Sequence, residues 1–399
     1  MEYEQYLSEL SKCVRCGSCK AHCPIYDEIA AEAMGARGRL ALLRGLSSGL
    51  ITSSPVLNDR IFNCTLCGAC SGLCPPEIDI KEVIYHGRSI LRKMNKRRSL
   101  LGILVSFCTK RPRLSFKALS MTQHLLFPYL YSKKLIPFQP ELPEYYLTDR
   151  HHVFTVSKKR GRVAIFTGCA VNFLYPQFGE SLISVLHRLG YEVILPAGEV
   201  CCGAPLRALG LEEEALKLAD KNFGIFGKLS VEAVLSLCPT CTLTLKKEYP
   251  KLIGKGIANA TDISSFLVDK IESDKISHLA SAMKKALYHD PCHLKYGLGI
   301  EKEPREIIKK IGIDLIKNRE DRCCGFAGTF CFSHKELSQR LLHKCVQDYD
   351  ESDAEIIITS CPGCIIQLSR EVKNRPVLHL IEVVEEALLP APQAAGAGN

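Results

Sequence analysis

Two stretches of this chain repeat one another cysteine for cysteine. Cys13, Cys16, Cys19 and Cys23-Pro24 form the first, and Cys64, Cys67, Cys70 and Cys74-Pro75 the second. Each reads Cys-x2-Cys-x2-Cys-x3-Cys-Pro. That spacing wraps three thiolates around three corners of a four-iron cubane, and the fourth corner is closed by the last cysteine of the other run. It predicts one cluster on Cys13, Cys16, Cys19 and Cys74, and a second on Cys64, Cys67, Cys70 and Cys23. The small residues Gly17, Ser18, Gly68 and Ala69 are expected to leave room for backbone N–H groups to approach cluster sulfurs, and each proline to turn the chain away. Structural zinc is the competing reading. It needs only four of the eight cysteines and is not built from doubled Cys-Pro runs.

A chain of 399 residues predicts two or three domains. It has 21 cysteines, and its first residues, Met1-Glu-Tyr-Glu-Gln5, are acidic and lack an apolar export signal. A disulfide framework is therefore not expected, and a reducing cytoplasm is. No run reaches the roughly 18–20 apolar residues that span a bilayer. The net charge of +9 is concentrated: residues 81–160 hold 17 Lys and Arg against 4 Asp and Glu, which leaves the rest of the chain net negative. Such a block suits an acidic partner surface or an anionic membrane face. The expected location is thus cytoplasmic, with peripheral contact on the inner face of the cell membrane through this basic segment. No nucleic-acid motif accompanies the charge, so no nucleic acid is expected as a partner.

The organisation predicted is a mostly helical two-cluster module over 1–95, a basic linker over 96–160, two α/β domains over 161–270 and 284–387, and a disordered small-residue tail over 388–399. The two α/β domains form an internal repeat. Cys169, Cys201-Cys202-Gly203 and Cys238-Pro-Thr-Cys241 recur as Cys292, Cys323-Cys324-Gly325 and Cys361-Pro-Gly-Cys364, at offsets of 123, 122 and 123 residues. Agreement to one residue at three landmarks indicates duplication. Each landmark follows a strand-like run: Val163–Phe166, Tyr191–Leu195 and Ala233–Leu237 in the first copy, and Ala286–Tyr288, Ile313–Ile316 and Ile356–Thr359 in the second. Helical stretches such as Glu180–Leu189 and Glu212–Phe226 lie between them. Strand, loop and helix in repetition predict parallel sheets, with ligand sites at the carboxyl ends of the strands.

The repeat resembles the cysteine-rich (CCG) domain pair of heterodisulfide reductase-like proteins, and the same pair follows a two-cluster module in iron–sulfur subunits of glycolate oxidase and related dehydrogenases. The run Gly35-Ala-Arg-Gly-Arg39 is similar to the Gly-Pro-Arg-Gly-Arg usual in the glycolate oxidase branch, with Ala36 in place of the proline. The resemblance covers roughly residues 8–385. One departure matters. Glycolate oxidase subunits often lack some repeat cysteines, whereas this chain keeps all ten, as heterodisulfide reductase catalytic subunits do. There, each five-cysteine set is associated with a noncubane cluster that engages a disulfide. The resemblance therefore implies a third cluster on Cys169, Cys201, Cys202, Cys238 and Cys241, and a fourth on Cys292, Cys323, Cys324, Cys361 and Cys364. Five thiolates exceed what a tetrahedral metal takes.

Smaller signals favour ordinary roles. Cys108, Cys331 and Cys345 lie outside every motif and read as buried free thiols. His289, His293 and His334 flank the fourth site, either as hydrogen-bond donors or as plain loop histidines. Asp262 and Asp290 suit caps and turns as well as proton carriage. Gly203-Ala204 and Gly325–Gly328 are expected to let backbone approach a cluster. No Gly-x-Gly-x-x-Gly fingerprint is evident, so flavin or nicotinamide binding falls to a partner. The expectation is the iron–sulfur subunit of an oxidoreductase complex, moving electrons from an FAD-containing 2-hydroxy acid dehydrogenase of glycolate or lactate type to a quinone or other carrier. The alternative is a catalytic disulfide reductase working through Cys201, Cys202, Cys323 and Cys324.

Overall fold

The computed structural model describes residues 2–95, 100–149, 152–271, 285–318 and 320–388. The tail predicted past Leu388 lies outside the described residues.

The first module is helical. Helix Ala36–Ser47 packs against Tyr3–Ser11 and Ile80–Met94 around Tyr6, Leu10, Leu43, Ile61, Val83 and Leu91. Local chemistry sets the helix starts. Ser54 caps Pro55–Phe62 by accepting from the Leu57 N–H, and Asp79 caps Ile80–Met94 by accepting from Glu82. Two glycines permit close contact here. A Cβ on Gly38 would sit 2.0 Å from the Glu32 carbonyl oxygen, and one on Gly87 2.6 Å from Leu43. The span read as a linker is largely helical instead, with helices Leu100–Lys110 and Pro112–Ser132. Its basic residues hid a helical pattern: Leu101 and Val105 face the first α/β core, and Ser106 donates to Glu214.

The two α/β units share one topology. The first sheet has β1 (Val153–Phe154), β2 (Gly161–Ile165), β3 (Tyr191–Ile194), β4 (Ala233–Ser236) and β5 (Ala260–Asp262), in the order β1-β3-β2-β4-β5. The second has β6 (Lys285–His289), β7 (Asp314–Ile316), β8 (Ile356–Thr359) and β9 (Val377–His379), in the order β7-β6-β8-β9. All pairs are parallel except β1–β3, an antiparallel edge. The register Val163↔Ala233 recurs as Ala286↔Ile356, which carries the 123-residue offset into three dimensions. Central strands are covered on both faces, so they read as apolar runs rather than alternations. Strands β1, β5 and β9 were not predicted; they are two or three residues long, too short to show a period. One continuous core joins the copies through Phe178, Leu182, Phe266, Ile307, Ile381 and Val384.

Candidate functional site

The eight cysteines of the first module line two cavities. Cys13, Cys16, Cys19 and Cys74 surround one, with Arg37, Leu40 and Ile78. Cys23, Cys64, Cys67 and Cys70 surround the other, with Arg39, Lys81 and Ile84. In each, three cysteines of one run meet the last cysteine of the other. Gly17 and Gly68 adopt φ of +91° and +84° inside the two loops, a conformation glycine enters without strain.

The donors suit a thiolate cluster. The four sulfurs of each cavity are soft ligands set among mainly apolar walls. Arg39 is buried, its Nε donates to the Arg60 carbonyl at 2.8 Å, and its Nη2 has no protein hydrogen-bond partner among the described residues. An unpartnered guanidinium N–H beside four cysteines fits an anionic occupant. Arg37 lines the other cavity and holds its loop, donating to the Arg15 carbonyl at 2.8 Å while paired with Glu32. The two arginines of the Gly35–Arg39 run thus serve one cavity each, and Gly38 lets the run pack on Glu32. Burial pushes the Cys67 thiol up to about 12, with Cys323 adding to the effect, a cost that metal binding to the thiolate would offset.

Cys169, Cys238 and Cys241 follow β2 and β4, and Cys292, Cys361 and Cys364 follow β6 and β8, where strand order reverses; the Cys-Cys pairs that follow β3 and β7 reach the same places by hydrogen bonds to them. Cys238 and Cys361 each stand immediately before a proline that opens a helix, Pro239–Leu243 and Pro362–Leu368. Within the first set, hydrogen bonds from Cys201 and Cys241 hold the Cys202 thiol well below its ordinary value. Within the second, Cys292 and Cys324 do the same for Cys323, and Cys324 Sγ lies 3.5 Å from Cys364 Sγ. The sets touch: Cys238 and Cys361 are hydrogen-bond neighbours across the domain boundary.

The four cysteine groups lie in a row. Both cavities of the first module share Ile80 as a wall, and Cys19 and Cys70 are near enough for their thiolates to repel. Cys67 in turn neighbours Cys292 and Cys323. The exposed Cys16 marks one end, and the adjoining repeat sets the other.

His293 fastens this row. Its Nε2–H donates to the Leu66 carbonyl at 3.0 Å, and its Nδ1 accepts from Thr240 Oγ1 at 2.8 Å. It thereby ties the loop of the second cavity to the Cys238–Cys241 turn, from a position next to Cys292. Burial pushes its imidazole down to about 4, with Lys81 nearby, so the ring is neutral, as the two bonds require. Arg88 makes a second tie, donating to the carbonyls of Cys64 at 2.6 Å and Ala208 at 2.8 Å. A buried charge cluster makes the third. Lys81 pairs with Glu248 at 2.8 Å, and Arg207 pairs with Glu82 and with Glu248 at 3.4 Å.

Other residues singled out from sequence have local roles. His334 stacks on Phe330 at 5.1 Å and sits 3.8 Å from Asp59 of the first module. Asp262 caps helix Ile263–Leu267, and Asp290 pairs with Arg305. Cys108 lies half-buried beside Ser115, and the buried Cys331 donates to the Gly328 carbonyl at 3.1 Å. Gly203 and Gly325, with φ of +93° and +77°, pack on the backbone of Ala215 and Ser338, and the Gly325 N–H points at the Cys323 sulfur at 3.4 Å, so backbone does approach a repeat sulfur here. Arg88, Arg207, Glu248 and Lys81 were missed by sequence reasoning. Their one signal was the presence of charged residues within otherwise apolar helical faces.

Two paired four-cysteine cavities joined to a duplicated ten-cysteine α/β unit define an iron–sulfur electron-transfer subunit. The comparisons agree. The 4Fe-4S dicluster domain profile matches residues 9–78, and the cysteine-rich (CCG) domain profile matches twice, at 163–246 and 286–369. The chain is 28% identical to the glycolate oxidase iron-sulfur subunit of Escherichia coli over 96% of this chain and 95% of that one. It is also 28% identical to a subunit of the dihydromethanophenazine:CoB–CoM heterodisulfide reductase of Methanosarcina barkeri, over 96% and 95%. Lactate utilization protein A of Bacillus velezensis is 30% identical over 56% of this chain and 98% of its own. A hypothetical protein from Helicobacter pylori shares the fold, with a TM-score of 0.54 and 12% identity over 98% of this chain and 74% of that one. The chain belongs to the family of iron–sulfur oxidoreductase subunits that join a 4Fe-4S dicluster domain to a cysteine-rich domain pair. Iron–sulfur clusters, including noncubane ones, are its cofactors.

Proposed function

We propose that this chain is the electron-transfer subunit of a flavin-dependent 2-hydroxy acid dehydrogenase, of glycolate or lactate type, delivering electrons to a quinone or other carrier. The row of four cysteine groups, running from the exposed Cys16 to the joined repeat sets, carries this reading. Cys13, Cys16, Cys19 and Cys74 hold the first cluster, and Cys64, Cys67, Cys70 and Cys23 the second. Cys169, Cys201, Cys202, Cys238 and Cys241 hold the third, and Cys292, Cys323, Cys324, Cys361 and Cys364 the fourth. A four-iron cubane, when bound, takes up and releases one electron at a time. The protein's part is to fix the four groups against one another through His293, Arg88 and the Lys81–Glu248–Arg207 cluster. It also excludes water from them and sets their charge surroundings through Arg37 and Arg39. Hydroxy-acid oxidation belongs to an FAD-containing partner.

One observation favours a second reading. All ten repeat cysteines are present, and Cys238 meets Cys361, so the two sets could grip one disulfide from both sides. The test compares the lone subunit with the subunit joined to a flavoprotein. A conduit is inert alone towards glycolate, lactate and disulfides, and supports hydroxy-acid oxidation once the flavoprotein is added. Disulfide cleavage by viologen-reduced subunit alone, abolished by replacing Cys201 and Cys202 or Cys323 and Cys324, would establish the second reading.

The helix pair over 100–132 supports peripheral membrane contact. Leu100, Ile103, Leu104 and Phe107 form an exposed stripe at helical spacing, and Leu114, Met121, Leu125 and Tyr129 form another. Lys110, Arg111, Arg113, Lys117, Lys133 and Lys134 accompany them. An apolar stripe among cations suits an anionic lipid surface. Among the described residues no helix is long and apolar enough to cross a membrane. Flotation with phosphatidylglycerol vesicles, weakened by salt and by L104E/L125E, is the expected result. Equal recovery with neutral vesicles would refute the electrostatic part.

A further inference from the structure

The two copies of the cysteine-rich unit are not chemically equal. Helix Glu212–Phe226 corresponds to Lys335–Asp350 at the same 123-residue offset as the strands. Under that offset Phe166 becomes His289, Asn222 becomes Cys345 and Phe226 becomes Tyr349. Contacts bear the equivalence out. The rings of Phe166 and Phe226 meet at 5.3 Å and those of His289 and Tyr349 at 6.1 Å. Gly203 and Gly325 pack on Ala215 and Ser338, which are also equivalent. Where the first copy places two apolar rings, the second places an imidazole and a phenol, both buried.

These polar groups form a directed chain. Cys345 Sγ donates to Tyr349 Oη at 3.3 Å, and the Tyr349 proton is therefore assigned to its contact with His289 Nδ1. With Nδ1 accepting, the ring carries its hydrogen on Nε2. A ring nitrogen of His289 and the sulfurs of Cys324 and Cys364 all lie within 4.8 Å of one another. The first copy directs its polar group elsewhere. Asn222 spends its amide on the backbone of Val200 and Cys201 and on Tyr249 Oη.

Hydrogen bonds to the sulfurs and the local charge help set the potential of an iron–sulfur group, and a donor favours the reduced, more negative form. We propose that His289, oriented by Tyr349 and Cys345, donates to the sulfur of Cys324 or Cys364 and makes the second copy's site the easier of the two to reduce. The duplication then supplies two sites of one architecture and different potential, and the direction of electron flow between them is built into the sequence. The inference rests on the assignment, proposed above, of one cluster to each five-cysteine set.

The test is a redox titration followed by electron paramagnetic resonance, on anaerobically purified full-length holoprotein with its iron counted. H289F is expected to shift one repeat-derived signal to lower potential by at least tenfold in its reduction equilibrium, about 59 mV for one electron. Y349F is expected to shift the same signal in the same direction by less, and the H289F/Y349F double variant, which restores the first copy's rings, to match H289F. The signals of the two cubanes stay in place in all three. If H289F loses iron, Y349F, which leaves the imidazole intact, carries the comparison, with H289Q, which keeps a donor, expected nearer to wild type than H289F. An unmoved signal in iron-replete H289F, or in Y349F where H289F loses iron, overturns the proposal while leaving the ligand assignment standing. Wild-type protein with no iron beyond the two cubanes overturns the assignment itself, and the proposal with it.

Discussion

Removing the charge of Glu248 while keeping its shape is the sharpest probe of how the first module is held to the α/β units. Glu248 and Arg207 are 4% and 2% exposed, and Glu248 faces both Arg207 and Lys81. Burial alone would push its carboxyl up, but Lys81 and Arg207 outweigh it and hold the group down at about 2, against 4.5. At about 1.36 kcal/mol per pH unit this gap is worth about 3 kcal/mol. The folded value lies below the unfolded one. The contribution is therefore complete above about pH 4.5 and is lost as pH falls towards 2. E248Q takes the facing carboxylate from Lys81 and leaves Arg207 with Glu82 and, at 3.8 Å, Glu212, and should cost about 3 kcal/mol near neutral pH, the low end of what breaking a buried pair costs. K81Q/E248Q should cost less than the sum of its single changes, by at least about 1 kcal/mol, because the pair interacts directly. The chain has 14 Tyr and no Trp, so anaerobic urea titration of holoprotein is followed by tyrosine emission, with cluster absorbance as a second probe. E248Q within about 0.5 kcal/mol of wild type would refute the reasoning. So would strict additivity of the two changes.

Three further expectations follow from single contacts. C74S should cost the cluster of Cys13, Cys16 and Cys19 and lower the iron of the first module by about half; spectra showing loss at Cys64, Cys67 and Cys70 instead would reverse the crossed assignment. G325A should destabilise by about 1–3 kcal/mol, since its φ is +77° and its Cβ would lie 2.7 Å from the Ser338 carbonyl oxygen. G224A, in a helix with nothing within 4 Å of its Cβ, should gain up to about 1 kcal/mol, and thermal unfolding of both variants checks the contrast. H293A strands the Leu66 carbonyl and the Thr240 hydroxyl, and should loosen the Cys64–Cys70 loop, seen as faster amide exchange there with the Cys13–Cys19 loop unchanged.

What the sequence made legible follows from the range over which each signal acts. Ligand sets were readable because cysteine spacing is a local constraint of a few residues, and the paired copies were readable because duplication preserves offsets. The central strands Val163–Ile165 and Ile356–Thr359 showed themselves as β-branched runs, as strands buried on both faces do. The helices Leu100–Lys110 and Pro112–Ser132 were hidden because their exposed faces are apolar and their flanks basic, which blurs the usual contrast between buried and solvent faces. The order of the four cysteine groups was not readable at all. It depends on contacts such as Leu66 with His293 and Arg88 with Ala208, whose partners lie 227 and 120 residues apart.

The same limit explains why the repeat looked more symmetric in sequence than it is in space. Cysteines align between copies and draw the eye, while the residues that distinguish the copies are ordinary in isolation. Phe166 directly follows a central strand and His289 ends one, and Asn222 and Cys345 each occupy a buried turn of an equivalent helix. Only the pairing of positions across a 123-residue offset, together with the contacts of His289 with Tyr349 and with the sulfurs of Cys324 and Cys364, turns three scattered substitutions into one network. His293 follows the same logic, since its counterpart in the first copy is Ala170, which has no group to bind a neighbouring loop. The second copy therefore holds both the histidine that fastens the row of cysteine groups and the one that lies against its own sulfurs. The duplicated scaffold is common to both halves, and the polar residues that give the row its direction sit in one.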